Sequence, residues 1–524
     1  MSLPLPKFSL VASLLTLGAC ATTAESGALE ASDEADMAIG SSEVRGATAS
    51  VRVVHASADA PAVDVYIKGT AAPVIRNLQF GQTSNYLKVP VGAYEFVIRA
   101  AGSARRSAPV YTTPSLLLGA GQSITAVASG SLQGLLRGDA ASAFRVLPLA
   151  ENFSLNANRV AKLRIVHGGA DAPSVGIDVG DDNPTAPEVG SLARFADTGA
   201  AGVSLPSGVP LQVGITAGGA RVTSFTTPEL PAGANLFAIA TGFLAEAPDN
   251  FKKYSGNRDG FELLVVGPAG TIGFIKQNPL VYALHASPDA PMVDIFAGSA
   301  RLYSGISFGE LSSGLRVPPG AYTLDVFPAQ MGPRPMAAPV FSYATPALGA
   351  GERYLAVARG FLAPGAGTSE AGFGITALAV TRAGTLNDDG TTFLHAVPDA
   401  PPVTIESRGF YKGSEGVVPN VFRDVAFGAS GTKAYSAWYF SNEFRSASFT
   451  TLFAGVNPVA RFDTTIPEQG FVVVAGALDP RRGASLRTIA IDVRGSRFSR
   501  SGVRPSFYNP WTVQTVFGRA PTTH

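Results

Sequence analysis

The chain has 524 residues, and at about 100–200 residues per domain that length corresponds to roughly three to five domains. Charged residues are only 15%, against roughly a quarter in an average soluble protein, and 58 Gly with 38 Pro favour short strands joined by turns over helices. Forty Lys and Arg against 39 Asp and Glu leave a net charge of +1, which gives no global field to attract nucleic acid, and 46% hydrophobic residues exclude global disorder.

In chain order, Lys7 precedes an apolar run from Phe8 to Ala19. That run is too short to span a bilayer and suits the hydrophobic region of a signal peptide. Leu17-Gly18-Ala19-Cys20 follows and resembles the bacterial lipoprotein box, in which the cysteine is lipidated and becomes the mature N-terminus. The resemblance implies a signal peptide over 1–19, a lipid on Cys20 and a membrane partner through that lipid. Ala21 in place of Asp implies the outer membrane as destination, so the expected location is the bacterial cell envelope. Cys20 is also the single cysteine, so the exported chain would be held by its cores and not by disulfides. Residues 20–46 carry Glu25, Glu30, Asp33, Glu34, Asp36 and Glu43 among Ala, Ser and Gly, and read as an acidic flexible tether.

Four copies of one unit come next. Val51 begins VRVVHASADAPAVDVY, Leu163 begins LRIVHGGADAPSVGID, Val281 begins VYALHASPDAPMVDIF and Thr392 begins TFLHAVPDAPPVTIES. The shared frame is His, three residues, then Asp-Ala-Pro, with histidines at 55, 167, 285 and 395, spaced by 112, 118 and 110. A Phe followed by Gly or Ala recurs at Phe80, Phe195, Phe308 and Phe427. A Val/Leu-Pro-x-Gly turn recurs in the first three copies, ending at Gly92, Gly208 and Gly320. Gly-x-Leu recurs from Gly130, Gly242, Gly360 and Gly476. A period near 110 is too long for propeller blades or solenoid repeats, and each unit is large enough to fold alone. Runs such as AYEFVIRA and AYTLDVFPA alternate and end in turns, predicting about seven or eight strands per unit. The fold class is therefore all-β: four tandem immunoglobulin-like antiparallel β-sandwiches. The expected boundaries are 47–150, 160–275, 278–385 and 388–498, with a basic tail over 499–524.

The His-Ala-Ser-x-Asp-Ala-Pro-x-Val-Asp frame, the later Val-Pro-x-Gly-x-Tyr and the closing strand resemble the bacterial family called domain of unknown function 4397. Copies one and three are nearest to it. Copies two and four have Gly176 and Thr404 where the others have Asp64 and Asp294. The resemblance implies a secreted or surface β-domain and brings no activity and no site residues.

The histidines lie on alternating strands. With Arg52 and Arg164 facing solvent, His55 and His167 would face the core. The frame pairs His55 with Asp59, His167 with Asp171, His285 with Asp289 and His395 with Asp399, and a structural turn-holding role is the favoured reading. A divalent ion is the sharper alternative, with His55, Asp59, Asp64 and His285, Asp289, Asp294 as weak ligand candidates. No cofactor is expected. Ser57 and Ser287 lie two residues after their histidines, but Gly169 and Val397 stand there in the other copies, so a hydrolase has little support. The stretch from Gly267, GPAGTIG, lacks a following Lys-Ser/Thr and reads as a turn. Copy four is rich in aromatics: Phe410, Tyr411, Phe422, Phe427, Tyr435, Trp438, Tyr439, Phe440 and Phe444. The tail has Arg494, Arg497, Arg500, Arg504 and Arg519 with no acidic residue after Asp492. The expected function is display of modules for adhesion, matrix binding or envelope structure, without catalysis, with a protein or polysaccharide partner and no nucleic acid. The alternative is a carbohydrate-binding or metal-dependent, hydrolytic envelope protein.

Overall fold

The computed structural model describes residues 46–104, 106–136, 138–153, 160–244, 260–366, 368–380, 390–411, 414–434, 448–454, 457–464, 466–467, 470–493 and 511–519. The expected signal peptide, Cys20 and nearly all of the expected tether lie outside them, as do Tyr435, Trp438, Tyr439, Phe440, Phe444 and Arg494 to Arg504.

Each repeat is a two-sheet sandwich, as its alternating runs predict. In repeat 1 the first sheet runs in the order Arg145–Ala150, Ser123–Ser129, Thr48–His55, Leu87–Pro90. The second runs Ile75–Leu78, Val63–Ile67, Phe96–Ala100, Tyr111–Thr112. The same order recurs around the histidine strands Val160–His167, Leu280–His285 and Gly390–Ala396. One pairing departs from the antiparallel expectation. Every histidine strand runs parallel to the strand that precedes Gly-x-Leu, as in His55 opposite Ala128 and His395 opposite Val474. The first and late strands of each repeat therefore lie side by side at the centre of one sheet. This brings the His frame and the Gly-x-Leu segment, some 75 residues apart, to the same end.

The sheets of repeats 2 and 4 carry a fifth strand, Gly270–Lys276 and Thr512–Phe517. Residues 511–519 are thus part of repeat 4 and not of a free tail: the alternating Thr-Val-Gln-Thr-Val-Phe run pairs along Arg487–Asp492.

The repeats do not hang as separate beads. Val54, Ala56 and Val127 of repeat 1 are packed with Val166, Ile239 and Leu264 of repeat 2 in one buried cluster. Leu284 and Val357 of repeat 3 share another with Leu394, Val473 and Ile489 of repeat 4. In each case the histidine-bearing sheets stand back to back. The contacts are reciprocal, in the manner of a two-fold interface. Ser129 Oγ donates to Gly168 O at 3.0 Å, and the corresponding Thr241 Oγ1 donates to Ala56 O at 2.6 Å. Likewise Ala484 N donates to Pro288 O at 2.9 Å and Ala371 N to Pro398 O at 3.0 Å. The chain is a pair of pairs, 1 with 2 and 3 with 4.

This pairing corrects the placement of Arg52 and Arg164. They face away from their own core as the alternation requires, yet both are buried. Arg52 Nη1 donates to Gly267 O of repeat 2 at 2.7 Å, and Arg164 Nη1 to Ala150 O at 2.6 Å. Glu151 and Asp197 pair with the two guanidinium groups at 3.1 and 2.6 Å. The GPAGTIG stretch is a hairpin turn that receives the Arg52 side chain.

Candidate functional site: the His-Asp frame

Four histidines sit at the inner end of their strands, fully buried. In repeats 1, 2 and 3 the ring Nε2 lies 2.9, 2.7 and 2.9 Å from the carbonyl oxygen of Pro61, Pro173 and Pro291, the proline of the Asp-Ala-Pro turn. A carbonyl only accepts, so Nε2 carries the proton and donates. The opposite Nδ1 is buried without a hydrogen-bond partner in these three rings. In repeat 4, Val397 N donates to Nδ1 of His395 at 3.3 Å. A second proton on such a ring would be a buried charge, so desolvation lowers the pKa of His55, His167 and His285, and takes that of His395 down to about 4. These rings are neutral at pH 7.

The aspartates do a different job. Asp59 accepts from Leu132 N at 2.8 Å, Gln133 N at 3.0 Å and Ser131 Oγ at 2.7 Å. Asp171 accepts from Leu244 N at 2.6 Å, Asp289 from Leu362 N at 2.7 Å and Asp399 from Leu478 N at 2.8 Å. In every repeat the carboxylate fastens the Gly-x-Leu segment. The glycine of that segment has φ of +84°, +84°, +88° and +113° in turn, and a Cβ there would meet a backbone carbonyl oxygen at 2.6 Å or less. Two landmarks of the sequence are therefore the two halves of one clasp. Asp59→Asn would turn an amide N–H toward backbone N–H donors. A loss of about 2–3 kcal/mol in the stability of repeat 1 is expected, read as a lower urea midpoint.

The residues weighed as metal ligands and nucleophiles each hold backbone in this geometry. Asp64 accepts from Asn77 N at 2.8 Å and Gly102 N at 3.2 Å, and Asp294 from Gly305 N at 2.8 Å and Gln330 N at 3.2 Å. They pin the second sheet and do not join the His-Asp pair. In repeat 4, Thr404 Oγ1 takes the same place and accepts from Asp424 N at 3.2 Å. In repeat 2, a Cβ on Gly176 would meet Thr216 Oγ1 at 2.4 Å, so no side chain fits. Among the described residues no three His, Cys, Asp or Glu side chains are grouped as ligands. Ser57 and Ser287 donate to the carbonyls of Gly130 and Gly360 at 2.8 and 2.6 Å, an orientation that serves the turn.

The third landmark completes the frame. Phe80, Phe308 and Phe427 stand edge-on to their own histidines, ring centroids 6.3, 6.2 and 6.1 Å apart. The partner repeat covers the other side of each ring. Phe274 stacks on Phe80 at 5.6 Å, Arg487 lies 4.4 Å over Phe308 and Arg359 lies 4.7 Å over Phe427. The following Gly81 has φ +82°, and a Cβ on it would stand 2.6 Å from the Phe274 ring. Repeat 2 corrects the reading of Phe195-Ala196. Phe195 N donates to His167 O as Gly81 N does to His55 O, so Phe195 occupies the glycine position, with φ +65°. Arg194 takes the phenylalanine position and donates to Ala172 O. Arg145 of repeat 1 then lies 4.0 Å over the Phe195 ring. Nothing in a single-copy pattern shows that shift, because a Phe beside a small residue is present in either register.

The family model for the domain of unknown function DUF4397 matches residues 49–178 and 279–406. The chain carries repeats of DUF4397. Each match begins in an odd-numbered repeat and ends inside the first strands of the even-numbered one, and the sheet order extends the same fold through repeats 2 and 4. No curated protein matches this chain. Among solved structures, the Bacillus anthracis TIE protein matches at 11% identity over 79% of this chain, with a TM-score of 0.12. The match spans 65% of that protein's chain.

Proposed function

We propose that this chain is an exported cell-envelope lipoprotein, held in the outer membrane by a lipid on Cys20. It presents two pairs of β-sandwiches as binding modules for a protein or polysaccharide partner, and performs no catalysis itself. The observation that carries this reading is that the repeated polar side chains serve to hold backbone. The histidines, the frame aspartates, Ser57 and Ser287 all hold backbone, which suits a chain whose repetition serves display. Repetition of modules on one tether supports adhesion or matrix binding, since a second contact then forms at high effective concentration. Large exposed apolar side chains such as Met331 and Met336 in repeat 3 offer surface for such a partner.

The anchor is tested directly in cells. Cys20→Ser should remove lipidation and release the protein from a salt-washed membrane fraction into the soluble one. Retention of the variant with membranes would overturn the anchor.

A further inference from the structure

One position separates repeat 1 from its sisters. In the second sheet, Ile98, Ile215, Val326 and Leu452 stand opposite Val65, Ile177, Ile295 and Ile405 of the central strand. Two residues earlier are Phe96, Val213, Leu324 and Thr450. Across the next hairpin, Val213 faces Phe225, Leu324 faces Tyr343 and Thr450 faces Phe462. Phe225 and Phe462 are completely buried. In repeat 1 the residue whose N–H reaches Phe96 O is Thr113. Three repeats thus place an aromatic ring at this point between the sheets, and repeat 1 leaves it out.

Repeat 1 holds a cavity of about 530 Å³ at this point, with Phe96 and Thr113 both on its wall. The counterpart in repeat 3, lined by Tyr343, keeps about 50 Å³. The large cavity is lined by Val53, Val65, Ile98, Ala126, Phe144 and Val146, with Thr113 on its wall. Its size falls within the range of about 300–1,000 Å³ of small-molecule sites. The charged side chain on its wall, Arg145, is spent elsewhere, donating to Ala140 O at 2.6 Å and lying over Phe195. Most of the lining is apolar, so an apolar guest that displaces water from it gains burial.

We propose that repeat 1 binds a small uncharged aromatic molecule in this cavity, its ring taking the place that Phe225, Tyr343 and Phe462 fill in the other repeats. The rings of Tyr111, Phe96 and Phe144 on the wall supply aromatic edges and faces for it. Chain paired and folded as a whole is required, because Arg145 and Pro148 on the cavity wall belong to the sheet that packs on repeat 2.

The probe is p-cresol, the tyrosine side chain as a free molecule, with methylcyclohexanol as its saturated analogue, titrated against the full chain by ligand-observed NMR. One saturable p-cresol site per chain is expected, with several-fold weaker binding of methylcyclohexanol. Thr113→Phe should weaken p-cresol by at least about tenfold, since its own ring fills the site. Tyr343→Thr should create a second site in repeat 3, and it keeps the test decisive if Thr113→Phe does not fold. No saturable site in the wild type, equal binding of the saturated analogue, undiminished binding by a folded Thr113→Phe chain, or no added site in Tyr343→Thr would each overturn the assignment.

Discussion

Val473→Asp should split repeats 3 and 4 apart and unfold their shared face. Val473 is fully buried on the outer face of the repeat 4 sheet, beside Leu394, and belongs to the cluster that joins the two repeats. The substitution removes apolar burial worth roughly 1.5–3 kcal/mol and places a carboxylate in a buried cluster dominated by apolar side chains, so a total of at least about 4 kcal/mol is expected. Both tryptophans of the chain, Trp438 and Trp511, lie in repeat 4. Trp511 is buried and stacks on Tyr282 of repeat 3 with centroids 4.1 Å apart. Its fluorescence reports on this pair alone. A red-shifted native spectrum and a much lower urea midpoint are the expected result. An unchanged spectrum and midpoint would mean that each repeat stands without its partner. The same reasoning makes the two-repeat pair the stable folding unit: a lone repeat 1 would expose Val54, Val127 and Leu149 to water.

The second large effect is acid sensitivity with a defined window. All four frame histidines have pKa values lowered by burial, that of His395 from 6.5 to about 4. A depressed histidine pKa means that the unfolded chain takes up the proton first as pH falls. The contribution to stability is therefore complete above the unfolded value near 6.5 and is lost as pH descends toward the folded value. For His395 the shift corresponds to roughly 3 kcal/mol between about pH 6.5 and pH 4. Asp171 and Asp181 run the other way, because burial raises their carboxyls, that of Asp181 to about 6. Both lie in repeat 2, so the repeat 3 and 4 pair shows the histidine effect without them. Urea midpoints followed by tryptophan emission should fall steeply from pH 7.5 to pH 4.5. In His395→Gln the midpoint should be lower at neutral pH and the slope shallower. A variant with the wild-type slope would show that other groups bring about the acid loss.

The sequence alone determined the repeat count, the period, the all-β class and the inward placement of the histidines. These are properties of local order: alternation decides which face a side chain takes, and Gly-Pro turns decide where strands stop. The same local order made the frame, the phenylalanine and the Gly-x-Leu segment visible as separate landmarks. Only the tertiary structure decided what they do together. The parallel pairing of the first and late strands joins Asp59 to Leu132 across 73 residues, a relation with no trace in local spacing. What covers the outer face was equally invisible. Arg52 and Arg164 looked solvent-facing because a charge on an alternating strand usually meets water, but here the outer face of one sheet is the inner surface of a pair. The one-residue shift at Phe195 and the missing ring at Thr113 share that origin. Each is defined by what stands opposite in space, and a sequence records only what stands next in the chain.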